Sequence, residues 1–277
     1  MTTKAAVLVN LTIGSFSNEK TDPKVTREVA QSYNANSDAG RYVRKRLPDD
    51  VLSKIRGLQR EAYNYHKQIA APWMDGGIRI MAAKLITKAL ARYKDIDMQI
   101  KAEVAKLASE LPQIKLEAQK ARKGLYHSSD FPTKEQLETA FRLEVEFLPV
   151  PLAEDFRIDY ISNKIKKDLT DKNAARFSAQ TDYLKEQILV LLFRLKRNFL
   201  QEAPRVRSTT ITQLAWLRDN VKELILDETQ LPALMAPLSR IDQVVIAEFD
   251  EDARPKFNPL AVDEARVVVD EAIEALS

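Results

Sequence analysis

Arg41, Arg44, Lys45 and Arg46 place four cations within six positions of GRYVRKRLP (40–48), and Tyr42 lies among them. That pattern suits nucleic acid: guanidinium and ammonium groups take phosphates, and an interleaved ring stacks on a base. Lys54, Arg56 and Arg60 carry the basic character into the residues that follow. The same cations also suit a solvated face or a docking site for acidic groups. The chain holds such groups itself. Residues 1–124 carry 23 Lys/Arg against 13 Asp/Glu, a net of +10, whereas residues 216–277 carry 6 against 14, a net of −8. A basic front therefore has two natural partners, a polyanion or the acidic tail of this or a neighbouring subunit.

A second unusual segment is APWMDGGIRIM (71–81), which gathers Trp73, Asp75, Gly76, Gly77 and Arg79. Read architecturally, Pro72 ends one helix, Trp73 plugs the core and the glycines permit positive φ. Asp75 would then help cap the next helix. Read functionally, it is a binding loop held by a rigid scaffold.

Reactive chemistry has few candidates. The chain has no cysteine, hence no thiolate nucleophile or thiolate metal site. Its two histidines, His66 and His127, are far apart in sequence and outside any metal-ligand spacing, so each is expected to be exposed or capping. No P-loop, dinucleotide fingerprint or nucleophile elbow occurs. Acid pairs such as Glu154–Asp155 are too ordinary in a chain that is 30% charged to mark a hydrolase. No catalytic residue, metal or cofactor is assigned, and the chain is not expected to be an enzyme.

The elements that position these residues read as follows. Residues 4–13, KAAVLVNLTI, form a strand; the segment starts like a signal peptide, but Asn10 and Thr12 break the apolar run. Asp22 caps a helix that begins at Pro23. Residues 34–40 form a loop, and a helix from Pro48 ends near Ile69. A long helix is expected from about Ile80, with Ile86, Leu90, Tyr93, Ile100, Val104, Leu107 and Leu111 on one stripe. Such a stripe packs in an intramolecular hairpin or in an intermolecular coiled coil. Pro112 either kinks this helix or starts another. Thr133 and Gln136 form a capping-box signature. The alternation of Phe141, Leu143, Val145 and Phe147 with Arg142, Glu144 and Glu146 marks a half-buried strand, the natural partner of residues 4–13. A second long helix spans about 160–202, striped by Leu184, Ile188, Leu191, Leu195 and Phe199. Its segment ILVLLF (188–193) is apolar on nearly every side, as in a deep core or a subunit contact. Helices follow at about 209–227 and 230–248, then a linker at 248–259 and an acidic helix at 261–276 that docks in cis or on a neighbour.

The fold class is therefore α+β, mainly α: long antiparallel helices in a coiled-coil-like hairpin, with a small β-sheet from the N-terminal strand and residues 141–149. Residues 1–207 are expected to form a helical core with the sheet, and 208–277 a C-terminal helical region. No apolar run approaches the ~20 residues of a membrane span, and a cytoplasmic location is expected.

Three segments taken together are similar to a known family: NANSDAGRYVRK (34–45), PWMDGGIRIM (72–81) and GLYHSSDFPTKEQLETAFRLEVEFLPVPLAEDFRID (124–159). They resemble an uncharacterised family of bacteriophage and bacterial proteins, a domain of unknown function. That family has a DAGRYNK-like loop, a PWxDDGxRIL-like turn and a strand and loop like FxFxVxxxPLPxxxDFRxD. The match covers roughly residues 1–200. Gly76 stands where the family pattern has a second acidic residue, which weakens any reading of the turn as a cation site. The resemblance implies a phage or prophage origin, action in the host cytoplasm during infection, and gene neighbours encoding a MoxR-type AAA+ ATPase and a von Willebrand A-like protein. The resulting expectation is a non-catalytic assembly or adaptor protein that self-associates through its long helices into a homo-oligomer and acts with an AAA+ ATPase. The alternative is a DNA-binding protein, single-stranded DNA included, of phage replication or recombination, using the basic N-terminal region.

Overall fold

The computed structural model describes residues 6–36, 38–74, 77–151, 163–200, 208–245, 248–249, 255–256 and 262–277. The architecture is α+β and mainly α, a set of helices with a small antiparallel sheet. Two compact units share the chain. One comprises Met1–Asn10, Gln68–Thr87 and Phe147–Ser277, the other Leu11–Lys67 and Lys88–Glu146. This partition differs from one at 207/208, because the helices after 208 group with those before it.

The sheet has strand order β4-β5-β1-β6, where β1 is Ala6–Ile13, β4 Ala71–Pro72, β5 Arg79–Ala82 and β6 Leu143–Leu148. The expected pairing of the N-terminal strand with residues 143–148 is present, since β1 neighbours β6. On its other side β1 pairs with β5, Ala6 opposite Ala82 and Val9 opposite Arg79. This corrects the helix expected from Ile80. Residues 79–82 are strand, and the long helix α3 (Ile86–Arg122) begins only after a turn of 3₁₀ helix. The apolar run IRIMA suits either state, and pairing with β1 decides.

In the second unit, α3 lies antiparallel to α2 (Asp49–Ile69). His66 and Glu61 meet Tyr93 and Arg92, while Asp50 and Lys54 share a groove with Lys106 and Glu110. Leu52, Ile55 and Ala62 pack in one core with Ile96, Ile100, Val104 and Leu107. The stripe of α3 is thus satisfied within the chain, as an intramolecular hairpin. Each fully buried Leu or Ile contributes about 1.5–3 kcal/mol. Pro112 does not start a second helix: α3 runs through it, with Leu111 buried and Pro112 exposed. At the far side of this core, α4 (Lys134–Ala140) carries the full capping box, Thr133 Oγ1 accepting from Gln136 N–H and Gln136 Oε1 from Thr133 N–H.

The first unit holds α5 (Asn163–Phe199), α6 (Ser208–Leu224), α7 (Leu231–Val245) and α8 (Val262–Leu276). α8 packs on α5 and α7, so the acidic helix docks in cis, burying Ala265, Val269, Ala272 and Leu276. Within α5, Ile188, Leu191 and Leu192 are buried, whereas Val190 and Phe193 are exposed at 40% and 52%. Only one side of ILVLLF faces the core. Gln180 ties α5 to the end of α6: its amide donates to Leu224 O and accepts from Leu226 N–H. Of the expected linker, residues 248–249 and 255–256 pair as a two-residue ladder. Residues 152–162, with Glu154, Asp155 and the DFRID stretch, lie outside the described residues.

Candidate partner-binding site

The basic motif is not a free loop. Val43–Lys45 forms a short strand, β3, paired antiparallel with β2 (Glu19–Thr21). A strand alternates its side chains between two faces, and here the alternation separates the cations. Arg44 points inward and is 9% exposed; Val43 and Lys45 point outward.

Arg44 sits between two acids. Its Nη1 is 3.2 Å from Asp22 Oδ2, and its Nε is 3.3 Å from Asp130 Oδ2. Nη1 also donates to Leu125 O at 3.1 Å. Asp130, 1% exposed, takes a second cation on its other oxygen, Lys20 Nζ at 2.9 Å. Buried Arg44 thus faces two buried carboxylates, and Lys20, half exposed at the edge, supplies the second positive charge. Asp22 has a further task as N-cap of α1 (Pro23–Ser32): Oδ1 accepts from Lys24 N–H and Val25 N–H. The bond from Val25 N–H holds its carboxyl below the usual range, with Lys24 N–H and the Arg44 charge helping and burial opposing.

Arg46 is also engaged. Its Nε donates to Asp130 O at 2.7 Å, and its guanidinium lies 4.7 Å from the Phe16 ring centroid. Buried Asn18 fixes the next residue by two bonds, Nδ2 to Leu47 O and Leu47 N–H to Oδ1. Lys45 pairs with Asp49; that hydrogen bond raises the lysine pKa and lowers the aspartate's. Asp130 and Asn18 carry no local sequence signal of these roles, because their partners are 86 and 29 residues away.

The remaining cations are exposed. Lys54 lines a groove whose other charges are Asp50, Glu103, Lys106 and Glu110, a mixed set. Arg56 and Arg60 stand four residues apart on the outer face of α2. Arg41 is exposed and, among the described residues, makes no ion pair. It borders a cavity of about 310 Å³, together with Gly40 and Tyr42 on one side and, on the other, Thr26, Val29 and Ala30 of α1 with Tyr33 at its C-terminus. Tyr42 is held there by its backbone, its N–H donating to Thr26 Oγ1 and its carbonyl accepting from Asp22 N–H. Helix α1 is amphipathic and yet buries none of its residues; Val29 is 46% exposed and Tyr33 80%.

The turn motif lies in the other compact unit. Trp73 is buried edge-to-face on Phe177, with ring centroids 5.7 Å apart, and the Arg176 guanidinium lies over it at 5.0 Å. Trp73 N–H donates to Ile78 O, which closes the β4–β5 hairpin, and Gly77 takes φ of +94°. Arg79 Nε donates to Ala70 O at 2.8 Å, and its guanidinium lies over the Tyr183 ring. These contacts are architectural. Asp75 and Gly76 lie outside the described residues.

His127 is exposed as expected, but His66 is a correction: it is 3% exposed, and its Nδ1 lies 2.8 Å from the Tyr93 hydroxyl. Helical periodicity places position 66 on the apolar face of α2, and a tyrosine hydroxyl from α3 meets its Nδ1. No group of acids and histidines able to hold a metal ion occurs among the described residues, and no described helix is long and apolar enough to cross a membrane. No protein-family profile matches the sequence, and neither a curated protein nor a solved structure is significantly similar to it.

Proposed function

We propose that the chain is a non-catalytic adaptor that takes a protein partner on the open face of α1. The observation that carries this reading is the cavity between α1 and Gly40–Tyr42. Its walls are apolar, one exposed arginine stands at its rim, and the helix that forms it buries nothing of its own. Such a pocket fits an apolar anchor side chain flanked by a carboxylate. The gene neighbourhood that the motif resemblance implies would make an AAA+ ATPase the partner. A photo-crosslinking residue in place of Tyr33 tests this in cells that express the chain with its gene neighbours. One defined protein adduct, lost on Arg41→Glu, is expected; adducts to nucleic acid alone overturn the reading.

Self-association has its own support. Val190, Phe193 and Leu200 are all exposed near the end of α5, and their spacing puts them on one side of it. The stripes of α3 and α5 are used within the chain, whereas this exposed strip is open to a second copy. Light scattering should report an oligomer that Phe193→Glu reduces to monomer. A wild-type monomer at micromolar concentration removes this part.

Arg56 and Arg60, exposed on one helical face beside Lys45, support the second reading, DNA binding. It requires oligonucleotide affinity that falls steeply with salt and whose slope flattens when these arginines become alanine. Absence of binding at low salt eliminates it.

A further inference from the structure

Strand β6 ends the four-stranded sheet, and among the described residues nothing pairs with its outer edge. An edge strand presents a row of unpaired N–H and C=O groups, a template for another strand. Beside the first half of β6 lies a groove of about 480 Å³, between that strand and α3. Val104, Phe141 and Leu143 supply its apolar surface. Its α3 wall carries Asp97 and Lys101, already paired with each other at 2.6 Å. A helix flanking an open strand edge, with a groove of side-chain size between them, is the arrangement used where peptides bind by strand addition.

The charge pattern on β6 chooses the occupant. Glu144 and Glu146 are both exposed and, two apart on a strand, share one face. Glu144 has only a distant ion pair, 3.9 Å to the equally exposed Arg142, and Glu146 makes none among the described residues. A second copy paired antiparallel about Val145 would set Glu144 opposite the other chain's Glu146, twice, and like charges directly opposite are destabilising. A strand with lysine or arginine at alternate positions places opposite charge on both glutamates. Its intervening residues face the Leu143 and Val145 side.

We propose that the outer edge of β6, with the groove along α3, binds an extended segment of a partner protein that alternates basic with apolar or β-branched residues. This site shares no residue with the α1 cavity, and its test does not depend on that reading.

The probe is a fluorescein-labelled peptide of about eight residues, alternating threonine or valine with lysine, titrated into the full chain. The glutamate counterpart is expected to bind at least ~10-fold more weakly. The Glu144→Lys/Glu146→Lys double variant should reverse that order. Both positions are solvent-facing, and far-UV circular dichroism checks that the variant is folded. A lysine peptide N-methylated along its pairing edge keeps its charge but cannot complete the ladder, and should lose binding. Amide exchange at Leu143–Glu146 should slow when the unmodified peptide is bound. Equal binding of the N-methylated peptide reduces the site to non-specific charge attraction and overturns the proposal. So does an unreversed preference in the double variant, or no binding of the lysine peptide near ~1 mM. Exchange protection of β6 in a peptide-free oligomer makes the occupant a second copy, which also overturns it.

Discussion

Asp130 shows how much depends on a single buried carboxylate. It receives Lys20 and Arg44 through its side chain and Arg46 through its carbonyl, so three cations of the basic front converge on one residue. Removing the acid leaves Arg44 buried with half its compensation. Breaking a buried pair this way costs about 3–5 kcal/mol. Asp130→Ala should therefore lower the urea midpoint strongly, whereas Lys45→Ala, which removes an exposed pair, should shift stability by no more than ~1 kcal/mol. Asp22 sets an acid limit on the same network. Its folded-state pKa is lowered, chiefly by the Val25 N–H bond. Its contribution to stability is complete above the unfolded value of about 3.9 and is lost as pH falls through the folded value. Urea midpoints measured from neutral pH down to about pH 3 should fall less steeply for Asp22→Asn than for the wild-type chain.

Among the elements, those with local causes were legible in the sequence. The Asp22 and Thr133 caps, the α3 stripe and the alternation of β6 each depend on neighbours within one or two turns, and each is present. The elements that were not legible depend on distant partners. β5 reads as the start of a helix and becomes strand through Ala6–Val9. β3 falls between the expected loop at 34–40 and the helix from Pro48, and is held by Glu19–Thr21. For the same reason the inward turn of Arg44 could not be read from GRYVRKR: the acids that draw it in come from positions 22 and 130. Where β1 ends, Gly14 donates its N–H to Arg142 O at 2.8 Å, and a Cβ there would run into the Ala140 carbonyl. Gly14→Ala should cost about 1–3 kcal/mol, measured by chemical denaturation, because backbone on both sides must move.

At the scale of the whole molecule, the two units carry different reporters. Both tryptophans, Trp73 and Trp216, fall in the unit that holds α5 to α8, and the unit of the α2–α3 hairpin has tyrosines and phenylalanines but no tryptophan. Tryptophan emission therefore follows one unit, while far-UV circular dichroism follows both. Ile100→Ala opens a cavity in the hairpin core worth about 2–5 kcal/mol. It should add an early phase to the dichroism melt and leave the tryptophan transition in place. Leu192→Ala, in the other core, should shift the tryptophan transition instead. If both probes move together in both variants, the units unfold as one.

The chain passes between its two units at residues 10/11, 67/68, 87/88 and 146/147. The hairpin unit is complete once Glu146 has been made, whereas the other must wait for its last helix to leave the ribosome. During translation the later-numbered bundle therefore assembles after the hairpin unit is finished, and premature termination within α6 or α7 spares the hairpin and its basic strand while leaving half a bundle exposed to proteases.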